Sequence, residues 1–124
     1  MRTAIAVAGT IILLAGLYLL AQNSSLKPGR AAAQSQVFSL VVKDHALSSG
    51  PALMQARQGD TITLHVQADQ EGELHLHGYE LEIKLQPGGE AQLSFVADRA
   101  GRYYLHMHGP DGSHAEIATI DIQP

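Results

Sequence analysis

Short extended runs, separated by turn-forming residues at regular intervals, are the feature that most restricts how this chain can fold. The turn signals are Ser48–Pro51, Gln58–Asp60, Pro87–Gly89, Arg99–Gly101 and Gly109–Gly112. Between them lie six runs of strand-like composition: Gln36–Lys43, Asp60–Gln67, Glu73–Leu85, Gln92–Val96, Gly101–His108 and Ala115–Gln123. Several short strands at this spacing predict an all-β sandwich or small barrel over residues 36–124. Pro51–Arg57 is expected to form one helical turn at most.

An apolar segment of nineteen residues without charge, Thr3–Ala21, precedes the predicted domain. A helix needs about 20 such residues to cross roughly 30 Å of hydrocarbon, so residues 1–21 are expected to form one transmembrane helix. A cleaved signal sequence is the alternative, but the small residues Ala31–Ala33 lie ten positions downstream of the segment rather than directly after it. Residues 22–35 contain a Pro-Gly step and no apolar periodicity, which predicts a flexible linker. We therefore expect a single-pass protein of a bacterial inner membrane, with its soluble domain in the periplasm or otherwise outside the cytoplasm.

The charge distribution separates these two parts and excludes several classes of protein. Residues 1–35 carry a net charge of +3, whereas residues 36–124 carry five Lys and Arg against twelve acids, a net charge of −7. This acidity, together with only four Tyr and two Phe, argues against a nucleic-acid partner. The chain has no cysteine, which excludes disulfides, thiolate metal sites and thiol nucleophiles.

Strand alternation predicts where the histidines point. In the run Glu73–Leu85, charged residues alternate with Leu81 and Ile83, and continuing the apolar parity backward turns His75 and His77 toward the core. In Gly101–His108, Met107 shares the inward parity of Leu105. His106 and His108 take the opposite parity unless the strand bends as it ends.

Two inward histidines beside an inward methionine predict a metal site. The predicted ligands are His75, His77, Met107 and His108. Imidazole with thioether suits Cu(I) above all, and then Cu(II) or Zn(II). The alternative is that the inward histidines are hydrogen-bonded residues at the edge of the core and that Met107 fills a gap.

The sequence also bears on the other four histidines. His106 or His114 could join the site, and that question stays open at the level of sequence. His65 faces outward on a regular strand and His45 lies in a polar turn before Ser48, so a solvated surface role is expected for both.

The motifs of the domain also carry a family resemblance. Over roughly residues 37–123 they occur in the order Gln58–Asp60, His75–Tyr79, Pro87–Gly89, Phe95 and Ala100–Tyr103. This order resembles the cupredoxin superfamily, in particular small cupredoxin-like domains of exported bacterial proteins. The resemblance implies a Greek-key β-sandwich with a mononuclear copper site at one end. It places the family's first histidine ligand at His75 or His77, its cysteine at Met107 and its second histidine at His108 or His114.

The departure from that pattern shapes the expected function. A blue-copper electron-transfer centre needs a cysteine thiolate, which this chain lacks. We therefore expect a membrane-tethered copper-binding protein that handles or delivers copper, with a copper-donating or copper-accepting protein as its partner. The alternative is a metal-free interaction domain that docks on a membrane or periplasmic partner. An enzyme is not expected, because multicopper oxidases assemble their sites between several such domains and no Ser-His-Asp set is evident.

Overall fold

The computed structural model describes residues 31–124 and, before them, only Tyr18 and Gly29. The chain divides into two units, Met1–Ala31 and Ala32–Pro124, and the fold below is that of the second. The expected transmembrane helix in residues 1–21 and most of the expected linker 22–35 lie outside the described residues. Within the part of the chain that is described, no helix has the length and apolar character needed to cross a membrane.

Nine strands build the domain. They are β1 Ser35–Lys43, β2 Ala46–Ser49, β3 Leu53–Arg57, β4 Thr61–Ala68, β5 Gly72–Leu76, β6 Leu81–Leu85, β7 Glu90–Val96, β8 Gly101–His108 and β9 His114–Gln123. Five of the six predicted runs match β1, β4, β7, β8 and β9 to within two residues at each end. The prediction of an all-β domain is therefore confirmed.

Three local predictions differ from the structure. Leu53–Arg57 is strand β3, paired in parallel with β9, rather than one helical turn. Its alternation buries Met54 and Ala56 and exposes the residues between them, which is the period of a strand with one face on the core. Strand β2 was not predicted, and the run Glu73–Leu85 is two strands rather than one.

The strands form two mixed sheets that enclose one apolar core. The four-stranded sheet has the order β2-β1-β4-β7 and the five-stranded sheet the order β3-β9-β8-β5-β6. The pairs β1–β4 and β3–β9 are parallel, and the other neighbours are antiparallel. Leu40 and Leu64 from one sheet and Leu74, Leu105 and Ile120 from the other are at most 1% exposed and belong to one cluster. Truncating such a leucine or isoleucine to alanine costs roughly 2–5 kcal/mol.

A buried carboxylate closes the end of the sandwich at which β1 and β4 begin. Asp60 is the one charged side chain that is buried among residues 31–124. Its Oδ2 accepts a hydrogen bond from Arg57 N and its Oδ1 accepts one from Gln34 N, both at 2.9 Å. These backbone donors, Arg57 first and then Gln34, hold the pKa of Asp60 below its ordinary value.

Candidate metal centre

The turn between β5 and β6 decides where His75 and His77 point. β5 ends at Leu76 and β6 begins at Leu81, so residues 77–80 form a hairpin turn. Alternation cannot be carried through such a turn, because each strand sets its own register. Leu74 and Leu76 are fully buried, and His75 between them therefore lies on the outer face of the five-stranded sheet. The prediction that His75 and His77 face the core is wrong.

The prediction for β8 is confirmed, and it separates the methionine from the histidines. Met107 is fully buried, whereas His106 and His108 take the opposite parity on the outer face. The side chain of Met107 fills the core beside Gly72, where an added Cβ would lie 2.7 Å from Met107 Cε. Met107 and His75 thus lie on opposite faces of one sheet. The expectation that Met107 shares a face with the predicted histidine ligands is wrong, because the parity carried backward from β6 does not hold in β5.

A β-bulge in β9 places a further histidine on the outer face. β9 pairs His114 with His108 and Glu116 with His106, and its register then shifts by one residue. Ile117 is the additional residue and is buried. A bulge of this kind changes the face presented by the residues on either side of it. The outer face therefore receives both His114 and Glu116 at the start of β9, while the rest of the strand still covers the core.

Five imidazoles meet on this face and form a closed circuit, which we call the histidine ring. Its members are His75, His77, His106, His108 and His114. In the order 75–77–106–114–108–75, neighbouring ring centroids lie 4.3, 4.5, 4.6, 4.5 and 6.1 Å apart. Neighbouring planes are inclined by 63° to 87°, so the imidazoles meet edge to face rather than in a stack.

Two sets of three histidines within the ring bring their nitrogen atoms close enough to share one ion. In the set His75, His77 and His108 the three ligand nitrogens lie within 4.8 Å of one another, and the same holds for His77, His106 and His114. Three imidazoles with an open fourth position suit zinc or copper. The structure thus brings together three of the four predicted ligands and leaves out Met107.

Carboxylates border the ring and orient its histidines. Glu80 Oε2 lies 3.2 Å from His75 Nε2, and Glu82 Oε1 lies 3.9 Å from the same nitrogen. A carboxylate only accepts, so His75 Nε2 donates to Glu80 and Nδ1 is left with its lone pair. The Gly78 N–H, and secondarily His75, hold the pKa of Glu80 below its ordinary value. Such a partner fixes the ring orientation of a metal-binding histidine.

The surroundings of His106 favour its neutral form. Its Nδ1 lies 3.0 Å from His114 Nε2, a hydrogen bond in which one of the two nitrogens must carry a lone pair. Burial lowers the pKa of His106, and the nearby charges of His77 and His114 lower it further, against an opposite effect of Glu116. A neutral imidazole is the form that binds a metal ion.

Comparisons with known proteins agree on the fold. No family model and no curated protein sequence matches the chain. A chain of a heme-copper terminal oxidase dimer is 13% identical, with 94% of this chain and 97% of that chain covered and a TM-score of 0.56. A copper binding protein in the apo form is 12% identical, with 72% and 88% covered and a TM-score of 0.55. The periplasmic domain of cytochrome oxidase subunit II from Bradyrhizobium japonicum is 15% identical, with 70% and 83% covered and a TM-score of 0.55.

The domain has a cupredoxin-like fold. A laccase from Botrytis aclada also matches, with 16% identity and a TM-score of 0.59 over 74% of this chain. This chain spans only 23% of the laccase, so the match concerns one domain of a larger protein.

The cupredoxin-like domain holds the turn that carries His77 with aromatic contacts. The Tyr79 ring packs against Tyr103, with centroids 4.7 Å apart. The Tyr79 hydroxyl donates to Arg99 O at 3.1 Å and accepts from Arg99 N at 3.0 Å. His77 N donates to Tyr104 O at 3.0 Å, which joins the turn to β8. His77 is thus placed by contacts on both sides of it.

A second contact holds the loop before His114. His45 Nε2 lies 3.1 Å from Ser113 Oγ, and Ser113 N donates to Asp111 Oδ1 at 3.0 Å. His45, for which a solvated surface role was expected, is partly buried and hydrogen-bonded to Ser113. His65 lies on the other sheet beside Glu90, as expected for a residue on an outer face.

His106 and His114 are the ring members that the sequence left open. Two His-x-His motifs on adjacent antiparallel strands were the available signal, because directly paired residues share a face. His75 does pair with His106 in the structure. The place of His114 depends on the bulge at Ile117, for which the sequence offers no comparable signal.

Proposed function

We propose that this cupredoxin-like domain binds copper through the histidine ring and handles or delivers copper outside the cytoplasm. The observation that carries the proposal is the set His75, His77 and His108, whose nitrogens lie within 4.8 Å of one another. The similar structures include a copper binding protein, a laccase and a heme-copper terminal oxidase, which supports copper as the metal. Another similar structure, that of cytochrome oxidase subunit II, is a periplasmic domain, which supports a location outside the cytoplasm. In this proposal residues 3–21 tether the domain to a membrane.

The ligand atoms of the site determine which oxidation state of copper it favours. The expected preference for Cu(I) depended on the thioether of Met107, and this side chain lies on the core side of β8. Imidazoles alone accommodate Cu(I), Cu(II) and Zn(II). The preference for copper over zinc therefore depends on the copper proteins that share the fold, and all three ions belong in the binding experiment.

Handling or delivery suits this site better than electron transfer or catalysis. The chain has no cysteine and so cannot form a thiolate copper centre. His77 and His114 are exposed, so a partner protein can approach the ligands and exchange them one at a time. We propose no catalytic role for the domain, and we expect its partner to be a protein that donates or accepts copper.

The test is a metal titration of the full-length protein with Cu(I), Cu(II) and Zn(II) against a competing chelator. The variant His75→Ala/His77→Ala removes two of the three ligands and is expected to lower copper affinity by at least about 100-fold, more than the loss of a partner outside the ligand set would. His65→Ala is the matched control, since it removes an outer-face histidine from the other sheet. Equal affinities of the wild type and the double variant would overturn the proposal and favour a metal-free interaction domain, whose stability would not change with a chelator.

A further inference from the structure

The histidine ring contains a second three-imidazole set that the proposed copper site does not use. His77, His106 and His114 also bring one nitrogen each within 4.8 Å of the others. Their positions come from three separate devices: the β5–β6 turn, the alternation of β8 and the bulge of β9. The second set is therefore placed by strands and a turn of the domain, as the first set is.

His77 belongs to both sets. Its ring centroid lies 4.3 Å from that of His75 on one side and 4.5 Å from that of His106 on the other. It is also an exposed member of the ring. An ion bound to His77 thus has His75 and His108 within reach on one side, and His106 and His114 within reach on the other.

Electrostatic repulsion determines whether the two sets of histidines bind two ions at the same time or one ion in either set. Two cations that shared one His77 nitrogen would lie no more than about 4 Å apart, since metal–imidazole bonds are about 2 Å long, and a neutral imidazole places no negative charge between them. The carboxylates of Glu80, Glu82 and Glu116 lie at the border of the ring, each nearest to a single histidine. Repulsion between like charges at such a separation is strong where water is partly excluded. The ring is therefore suited to one ion at a time.

We propose that the histidine ring offers one copper ion two alternative positions, His75/His77/His108 and His77/His106/His114. The ion passes between them by exchanging two imidazoles while His77 stays bound. No bond other than metal–nitrogen bonds forms or breaks, and the oxidation state of the ion does not change. This inference depends on the proposed function, and it adds a second site and an internal transfer step to it.

The two positions can be measured separately in the full-length protein. His106→Ala/His114→Ala leaves only the first position, and His75→Ala/His108→Ala leaves only the second. For one ion in either of two positions, mass action makes the association constant of the wild type equal to the sum of the two single-position constants. We expect one copper ion per chain in the wild type and in both double variants, and agreement with that sum within about twofold. His65→Ala is again the control and should match the wild type.

Each contrary result identifies which statement fails. Two ions per wild-type chain would overturn alternative occupation, and loss of binding in either double variant would reduce the ring to one position. A wild-type constant more than tenfold above the sum would show that the ring chelates one ion as a single larger site. A wild type that binds no copper would overturn the proposed function itself, and the inference with it.

A spectroscopic measurement on the wild type alone avoids any effect of the variants on folding. Histidine ¹H–¹⁵N spectra recorded during a Cu(I) titration report each imidazole separately. Exchange of one ion between two positions should shift the signals of all five ring histidines in parallel. Shifts confined to three of them would overturn the proposal.

Discussion

The outer faces of the two sheets follow the same alternation but surround their histidines differently. On the four-stranded sheet, His65 Nδ1 lies 2.8 Å from Glu90 Oε1, and Thr63 pairs with Ser94 beside it. On the five-stranded sheet, the ring histidines contact one another, and carboxylates lie beside His75 and His106 at the border of the ring. An exposed ion pair such as that of His65 contributes about 0–1 kcal/mol, and His65 is the single histidine in β1, β2, β4 and β7. Several imidazoles side by side can supply the ligands of one ion, whereas a single imidazole cannot, so the neighbouring histidines decide whether an exposed histidine is part of a site.

The strongest test of that contrast removes one histidine from each face. His77→Ala takes away the ligand common to both three-imidazole sets and is expected to lower copper affinity by more than about 100-fold, whereas His65→Ala should change it by less than about twofold. Copper at 100 times its dissociation constant should raise the free energy of unfolding of the wild type by about 2.7 kcal/mol. Thermal unfolding with and without copper measures this gain, which His77→Ala should lose. An undiminished gain in His77→Ala would remove the distinction between the two faces.

The second test disturbs the turn that supports the histidine face. Gly78 has a φ of 89°, and an added Cβ would lie 2.6 Å from the Tyr103 ring. Gly88, with a φ of 72° and open space around it, is the matched control for the left-handed backbone alone. Gly88→Ala should cost roughly 1–2 kcal/mol. Gly78→Ala should cost about 1–3 kcal/mol more because of the clash, and it should also weaken copper binding by displacing His77.

Equal losses of stability in the two glycine variants, measured by denaturant unfolding, would show that the aromatic contacts do not hold the turn. A stability loss in Gly78→Ala with unchanged copper affinity would show that the ring tolerates movement of His77.

The third test separates the two faces by pH in the metal-free protein. Burial and neighbouring histidines lower the pKa of His106, so the unfolded state binds more protons than the folded state just below pH about 6.5. Stability contributed in this way is present above that pH and is lost as the pH falls toward the lowered pKa. The pKa of Glu90, lowered by its hydrogen bond from His65, affects stability only as the pH falls below about 4.3, and the lowered pKa values of Glu80 and Asp60 add to the same acidic loss.

Thermal unfolding from pH 8 to pH 3 should therefore show two separate losses of stability. His106→Gln should reduce the loss near pH 6 and leave the acidic one, while Glu90→Gln should do the reverse. The groups that face His106 are His77, His108, His114 and Glu116. An unchanged profile in His106→Gln would mean that these neighbours, and not His106 itself, take up the protons.

The smallest effect is expected on the buried side of β8. Met107→Leu conserves volume and should cost less than about 1.5 kcal/mol. Copper affinity should not change, because Met107 lies on the opposite face from the histidine ring. A fall in copper affinity in Met107→Leu, with stability retained, would return the thioether to the ligand set.

Much of the fold could be read from the sequence because its strands are bounded by turn residues. β8 was predicted at its observed bounds, and the alternation of β4 is the observed one. β3 was missed because its inward residues, Met54 and Ala56, give only two positions of alternation and the exposed Leu53 obscures them. Short strands of this kind are stabilised by pairing with β9, which local sequence does not report.

The site was predicted less well than the fold for one physical reason. Side-chain direction follows alternation only within a strand, and Gly78 begins a new register between His75 and Leu81. Extending the alternation of β6 backward across that turn assigned His75 and His77 to the core face. It therefore grouped them with Met107 in one predicted site. Gly78 was itself a readable sign of the turn. The bulge that turns His114 outward depends on tertiary pairing and could not be predicted in the same way.

The hydrogen bonds of Asp60 fix the position of Gln34 directly before β1. Gln34 is held from both sides, since its N–H donates to Asp60 Oδ1 and its carbonyl accepts from Thr61 N at 2.9 Å. Ala32 and Ala33 before it are exposed and belong to no strand. A protease that cuts accessible backbone would therefore cleave at Ala32 or Ala33 without breaking these hydrogen bonds. A domain released by such a cut would keep every contact that builds the histidine ring.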